Sequence, residues 1–272
     1  MSRRPVEAPR ATALAAFAGL LLRDLRVVTN ERGRFLLRTL SQPLLLVFVF
    51  TYVFPKIGQG FRAPAGDESF TTVLVPGVIA IAVLIKGIQA VALPLVQEFG
   101  YTSEIEDRVM APLPVWAVAV EKIVAGAVQG LIAALLVFPI AAVVPAEPAA
   151  LQISWPALVV VGLLAPFAAS ALGLALGTMV EPNQVPLMFS VVILPITFLG
   201  ATYYPWARLD AIPWLQAVTL LNPLVYMAEG YRMALTPQIG HMPGVAIYAA
   251  LVAFPVGMGV LGVRGFRRRV LS

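Results

Sequence analysis

Few side chains in this sequence could do chemistry, and they are gathered in places. From position 97 the chain reads Gln97-Glu98-Phe99-Gly100-Tyr101-Thr102-Ser103-Glu104-Ile105-Glu106-Asp107-Arg108, then Ala111-Pro112-Leu113-Pro114. Glu98, Glu104, Glu106 and Asp107 bring four of the 14 acidic residues into ten positions. Three readings fit such a cluster: a surface that docks basic residues of a partner, a divalent-ion site on Glu104 and Asp107, and a plain solvated loop. A metal is the weakest of them, since no histidine lies nearby and no glycine pattern frames the acids. The chain has no cysteine and a single histidine, His241. Disulfides, thiolate sites and thiol nucleophiles are therefore excluded, and a histidine-built metal site or triad is disfavoured. His241 itself reads as a surface loop residue without a role.

Two further charged features stand apart. Lys86 lies inside an apolar run, where a charge at a helix centre costs about 2.5–3.5 kcal/mol on insertion scales. It must face a polar cavity, face a partner or reach an interface. The 11 residues between Lys86 and Glu98 span about 16 Å at helical rise, far for a lysine to snorkel. Lining a pathway and a structural hydrogen-bonding role both remain open for it. Glu229 and Arg232 are three apart and can pair on one helix face, as a brace or as part of a gate.

The elements that must position these residues follow from composition. Of 272 residues 60% are hydrophobic and 12% charged, and mean hydropathy is +0.88. A soluble domain is nearer half apolar and a quarter charged, so neither a water-soluble globule nor a disordered chain fits. Six apolar stretches, at about 35–54, 71–97, 118–144, 157–180, 185–204 and 243–263, are each long enough to span a bilayer. No cleavable leader pattern precedes the first, which reads as a retained span. An even count places both ends on one side. Fourteen basic residues fall on that side, eight of them up to Arg38 and four from Arg264 onward, against four on the other. The positive-inside rule then predicts cytoplasmic termini in a multi-pass cell-membrane protein. The basic character resides in the two ends, where it favours anionic lipid headgroups and gives no reason to expect nucleic acid. Trp116, Trp155, Tyr203, Tyr204 and Trp206 fall at the span ends, where aromatic rings favour the headgroup level.

Before the first span, Leu14, Phe17, Leu21, Leu25 and Val28 recur at helical spacing, with Arg23 and Arg26 off the stripe. This predicts an interfacial amphipathic helix over 11–28, the alternative being a charged flank that only sets orientation. Gly126 with Gly130, and Gly173 with Gly177, permit close helix approach, expected within the chain rather than between chains. Prolines 43, 76, 94, 139, 166, 195 and 255 predict kinks in the spans.

Glu98, Gly100, Thr102 and Glu104, with Pro-Leu-Pro at 112–114, resemble the cytoplasmic motif of type-2 ABC (ABC-2) exporter permeases. That motif follows the second span and typically runs Arg-Glu-x-x-Gly-Thr-x-Glu. Here Gln97 stands in place of the usual Arg, and Tyr101 separates Gly100 from Thr102. A second match follows the fifth span. Pro195, Phe198, Gly200, Tyr204, Pro205, Leu209 and Pro213-Trp214-Leu215 lead into Asn222-Pro223-Leu224-Val225-Tyr226 and Glu229-Gly230-Tyr231-Arg232, with Leu199 where the family often has Ser.

The resemblance implies an all-helical, six-span membrane protein with an N-terminal interfacial helix and short external re-entrant helices over 205–242. It implies a permease paired with a second permease copy, as a homodimer or heterodimer, and carrying two copies of a separate ATP-binding subunit. ATP and magnesium would be bound by that subunit and no cofactor by this chain, which is then not itself an enzyme; the chain has no Gly-x-x-x-x-Gly-Lys-Ser/Thr phosphate loop. The cargo would be an amphipathic drug-like or lipid-type molecule, as in daunorubicin-type exporters, or alternatively a polysaccharide or lipid-linked glycan. From other classes, a secondary carrier or intramembrane enzyme finds no mid-span carboxylate to work with. On the family pattern Glu98, Gly100, Tyr101, Thr102, Glu104, Asp107 and Arg108 form an ATPase-coupling segment within 98–114. Phe17, Leu21, Arg23, Leu25 and Arg26 belong to the interfacial helix. Lys86, Tyr203, Tyr204, Asn222, Tyr226, Glu229 and Arg232 are the pathway or gate candidates. The family's dimer seam is attributed to the first and fifth spans.

Overall fold

A computed structural model of the chain describes residues 10–30, 32–57, 69–102, 113–145 and 147–270. Every regular element among them is helical. In chain order these are α1 (Arg10–Asn30), α2 (Arg32–Phe48), α3 (Phe70–Gln97), α4 (Val115–Val143), α5 (Trp155–Met179), α6 (Pro182–Phe198), α7 (Pro213–Thr219), α8 (Pro223–Leu235) and α9 (Gly244–Val270). Helix is what the composition requires, because in hydrocarbon a backbone must satisfy its own amides and carbonyls. α2 with its extension to Lys56, α3, α4, α5 and α9 are long and apolar enough to cross a membrane, and α6 is a shorter apolar helix.

α3 is the centre. Residues 71–84 form an unbroken buried run, as expected of a helix apolar on all faces and enclosed by others. Around it pack α5, α4 and α8. Close approach is set by small residues within the chain: a side chain at Gly173 would meet the α3 backbone at Ile88, one at Gly177 the backbone at Ala92, and one at Gly126 Val91 and Ser170. By contrast α2 and α9 leave broad apolar faces uncovered, including Leu37, Leu45, Val252 and Val256.

Two π-turns interrupt the helices just before prolines. Val49–Val53 precedes Pro55, and Phe189–Ile193 precedes Pro195. Proline lacks the amide that would bond the carbonyl four residues back and its ring displaces that carbonyl, so the extra residue of a π-turn absorbs the misfit. A third π-turn, Glu98–Thr102, has no proline after it and coincides with the family-like motif.

α6 stops at Phe198, short of the stretch to 204 expected from hydropathy. Gly200 packs against the Leu224 side chain, and Ala201 adopts a left-handed φ of 52°, so the chain turns sharply there. Beyond it come a 3₁₀ turn, Trp206–Ala211, then α7 and α8. At the end of the bundle that carries both termini, Val91, Leu95, Val118, Leu174 and Phe266 form a second apolar cluster against which Leu20 of α1 packs. The first and last helices thus meet the ends of α3 and α5 and the start of α4 on one side.

Candidate functional site

The clearest constellation lies at that terminal end. Glu98 closes α3, and the Nζ of Lys122 on α4 donates to its Oε1 at 2.7 Å. The same Nζ is 3.2 Å from Oδ2 of Asp24 on α1. Lys122 is 2% exposed, so one buried cation joins three helices through two carboxylates. Phe99 stacks edge-on against Phe266 of α9, with ring centroids 5.6 Å apart, and the Arg269 guanidinium lies 5.4 Å from the Phe99 ring centre. A side chain at Gly100 would collide with Pro182, the first residue of α6. Three successive residues therefore contact α4, α9 and α6 in turn. Tyr101 and Thr102 complete the π-turn. Glu104, Asp107 and Arg108 lie outside the described residues, and with them the acidic pair weighed as a divalent-ion site. On α1, Phe17, Leu21 and Leu25 are half-buried while Arg23 and Arg26 are exposed.

At the opposite end one network is centred on the pathway or gate candidates Glu229 and Arg232. Glu229 and Arg232 on α8 are fully buried and paired, Arg232 donating through Nη1 to Glu229 Oε1. Trp206 N donates to that same oxygen at 2.9 Å, and Met242 N to Oε2 at 2.8 Å. Arg232 Nη2 donates to Ala201 O at 3.1 Å, holding the left-handed residue in place. One ion pair thus fixes the turn after α6, the 3₁₀ turn and the lead into α9. Asn222 caps α8, its side-chain oxygen accepting from Leu224 N at 2.9 Å while Nδ2 donates to Ile196 O at 2.8 Å. Tyr226 donates its hydroxyl to Leu220 O at 2.9 Å. Tyr203 packs on Phe50 with centroids 5.7 Å apart, and Tyr204 is half-buried against the main core.

Lys86 belongs to neither end network. Its ammonium sits 3.8 Å from the ring centre of Phe35, a cation–π contact, and it shares a narrow cleft with Arg38, Thr39, Gln42 and Gln89. Phe35 and Arg38 lie in the first two turns of α2, so the lysine is level with the start of that helix although it is deep in α3. The distance along α3 alone made snorkelling look too far; the relevant end is that of α2. From this cleft a groove of about 390 Å³ continues between α2, α3 and α6, again lined by Gln42, Ile85 and Gln89 and then by Phe189, Ser190 and Thr197.

Sequence reasoning missed Lys122, Asp24 and Phe35. A lysine at the start of an apolar run, such as Lys122, is itself a signal of buried pairing. Nothing local pointed to Asp24, because its partners are far along the chain.

These features define a multi-span bundle whose chemistry is confined to contacts and a groove. The sequence matches the ABC-2 type transporter family over residues 16–236, and the chain belongs to that family. It is 27% identical over 227 residues to the inner membrane transport permease YadH of Escherichia coli K12, an alignment covering 82% of this chain and 85% of that protein. The YadH of Shigella flexneri gives the same figures. The chain is accordingly a multi-pass transporter membrane subunit, and its family works with an ATP-binding subunit.

Proposed function

We propose that this chain is the permease subunit of an ATP-driven exporter that moves an amphipathic drug-like or lipid-type molecule out of the cytoplasm or inner leaflet, hydrolysis being done by a separate ATP-binding subunit. The terminal end of the bundle faces the cytoplasm, in keeping with its arginine excess. The carrying observation is the position of residues 98–100. A push on this segment by a closing ATPase pair reaches α1 and α4 through Lys122, α9 through Phe99 and α6 through Gly100. Only contacts that differ between pathway states can shift the balance between them, and a segment in contact with α4, α9 and α6 is placed to supply such contacts. α1 lies along the interface beside the ATPase, and a second permease copy packs along α2 and α6, the first and fifth spans. The groove of 390 Å³ favours a small amphipath over a polymer channel, being the size of pockets that hold drug-sized molecules.

The test is charge reversal in the permease–ATPase complex reconstituted in vesicles. With E98K, ATP hydrolysis is expected to persist while export of a fluorescent short-chain phospholipid or a lipophilic dye is lost. Normal coupling in that variant would remove the docking assignment. Export by the purified chain without any ATPase would overturn the reading as a whole.

A further inference from the structure

Arg38 and Lys86 both line one cleft at the foot of α2, and neither has a carboxylate partner among the described residues. The buried lysine and arginine of the bundle, Lys122 and Arg232, are both ion-paired, whereas Lys86 is half-buried and Arg38 exposed. The same cleft is lined by Thr39, 5% exposed, whose hydroxyl has no hydrogen-bond partner. A helical threonine would ordinarily bond the carbonyl one turn back, so its free hydroxyl is available to something in the cleft. Gln42 and Gln89 add amide donors at the point where the cleft opens into the 390 Å³ groove. Beyond them the groove wall is mixed, with Phe189 and Ile193 beside Ser190 and Thr197.

Two unneutralised cations, a free hydroxyl and two amides at the mouth of a half-apolar groove have one complementary ligand. We propose that Arg38, Thr39, Gln42, Lys86 and Gln89 form a site for the anionic head of an amphipath, a phosphate or carboxylate whose hydrocarbon part lies in the groove toward α6. Arg38 supplies a planar fork to the anion and Lys86 a point charge, with Phe35 holding the lysine from below. Burial of a charge against hydrocarbon is costly unless it is paired; Lys86 is half-buried while Arg38 is exposed, so it is the lysine whose pairing the ligand completes. The inference rests on the reading of this chain as an exporter permease, and it narrows the cargo class to acidic amphipaths or assigns the site to an acidic membrane lipid.

The experiment uses the full chain in phosphatidylcholine nanodiscs and two labelled probes of equal chain length, lysophosphatidic acid and lysophosphatidylcholine. The acidic probe is expected to bind about tenfold or more tightly than the zwitterionic one. This preference should vanish in R38Q/K86Q and survive in K86R, with elution on size exclusion confirming folded protein in each. Equal binding of the two probes by wild type, or an undiminished preference in R38Q/K86Q, overturns the proposal. A vesicle arm with the ATPase subunit separates the two sources. ATP-driven movement of the bound acidic probe makes it cargo, whereas binding without movement makes the site one for a resident acidic lipid. Absence of the preference in the wild-type chain while ATP-driven export of a neutral dye continues sinks only this inference. Failure of the wild-type complex to export any probe sinks the exporter reading and leaves the binding result standing.

Discussion

The two ends of the bundle each bury an ion cluster, yet they are built differently. At the far end Glu229 and Arg232 are neighbours on one helix, and backbone groups hold them further: Trp206 N, Met242 N and Ala201 O. At the terminal end Lys122, Glu98 and Asp24 come from three helices and meet side chain to side chain. Backbone partners fix turns, so the first cluster sets the shape of the segment after α6. Side-chain partners on separate helices can be exchanged at little geometric cost, so the second cluster suits helices that slide relative to one another. The difference is between a brace and a joint.

The largest expected effect breaks the brace. R232M leaves Glu229 as a carboxylate buried without its cation, and removing one member of a buried pair costs about 3–5 kcal/mol. The thermal midpoint of the purified variant should fall steeply and its yield collapse. Replacing both residues with leucine should recover part of the loss, because the uncompensated charge is then gone. An unchanged midpoint for R232M would show that the cluster bears no structural load.

A middle effect breaks the joint. K122M removes the cation shared by two carboxylates, and a charged hydrogen bond contributes about 1.5–3 kcal/mol. Stability should fall by less than in R232M, while transport per ATP hydrolysed falls more than stability does. K122R, which keeps the charge, should restore coupling. If K122M lost stability as severely as R232M and coupled normally, the terminal cluster would be a second brace.

The two ends also differ in how far the sequence revealed them. The helical class, the six apolar stretches and the placement of α3, α4, α5 and α9 were legible, because hydrocarbon leaves the backbone few choices. The Glu229–Arg232 pair was legible too, since i,i+3 spacing on a helix is a local pattern. Lys122–Glu98–Asp24 was not, since its members are separated by 24 and 74 residues and only packing brings them together. The end of α6 was misjudged for a related reason. Hydropathy carried it to 204, whereas a turn at Gly200 and Ala201 held by a residue of α8 ends it at Phe198. Lys86 stands out in the sequence as a lone charge in an apolar run, but its level in the bundle depends on where α2 begins.

The smallest effect sharpens the comparison from within the joint. Asp24 is the more exposed of the two carboxylates on Lys122, at 16% against 7% for Glu98, and the longer contact, 3.2 Å against 2.7 Å. Pairs near solvent contribute about 0.2–1 kcal/mol and are screened by salt. D24N should therefore leave the thermal midpoint nearly unchanged and lower coupled transport by about twofold at low ionic strength. The deficit should shrink as salt rises, because the wild-type contact is then screened as well. E98Q, by contrast, should keep its deficit in salt, since its contact with Lys122 is shorter and drier. If D24N uncoupled as fully as K122M at every salt concentration, the joint would run chiefly from α1 to α4. Glu98 would then be anchored by Lys122 rather than moved through it.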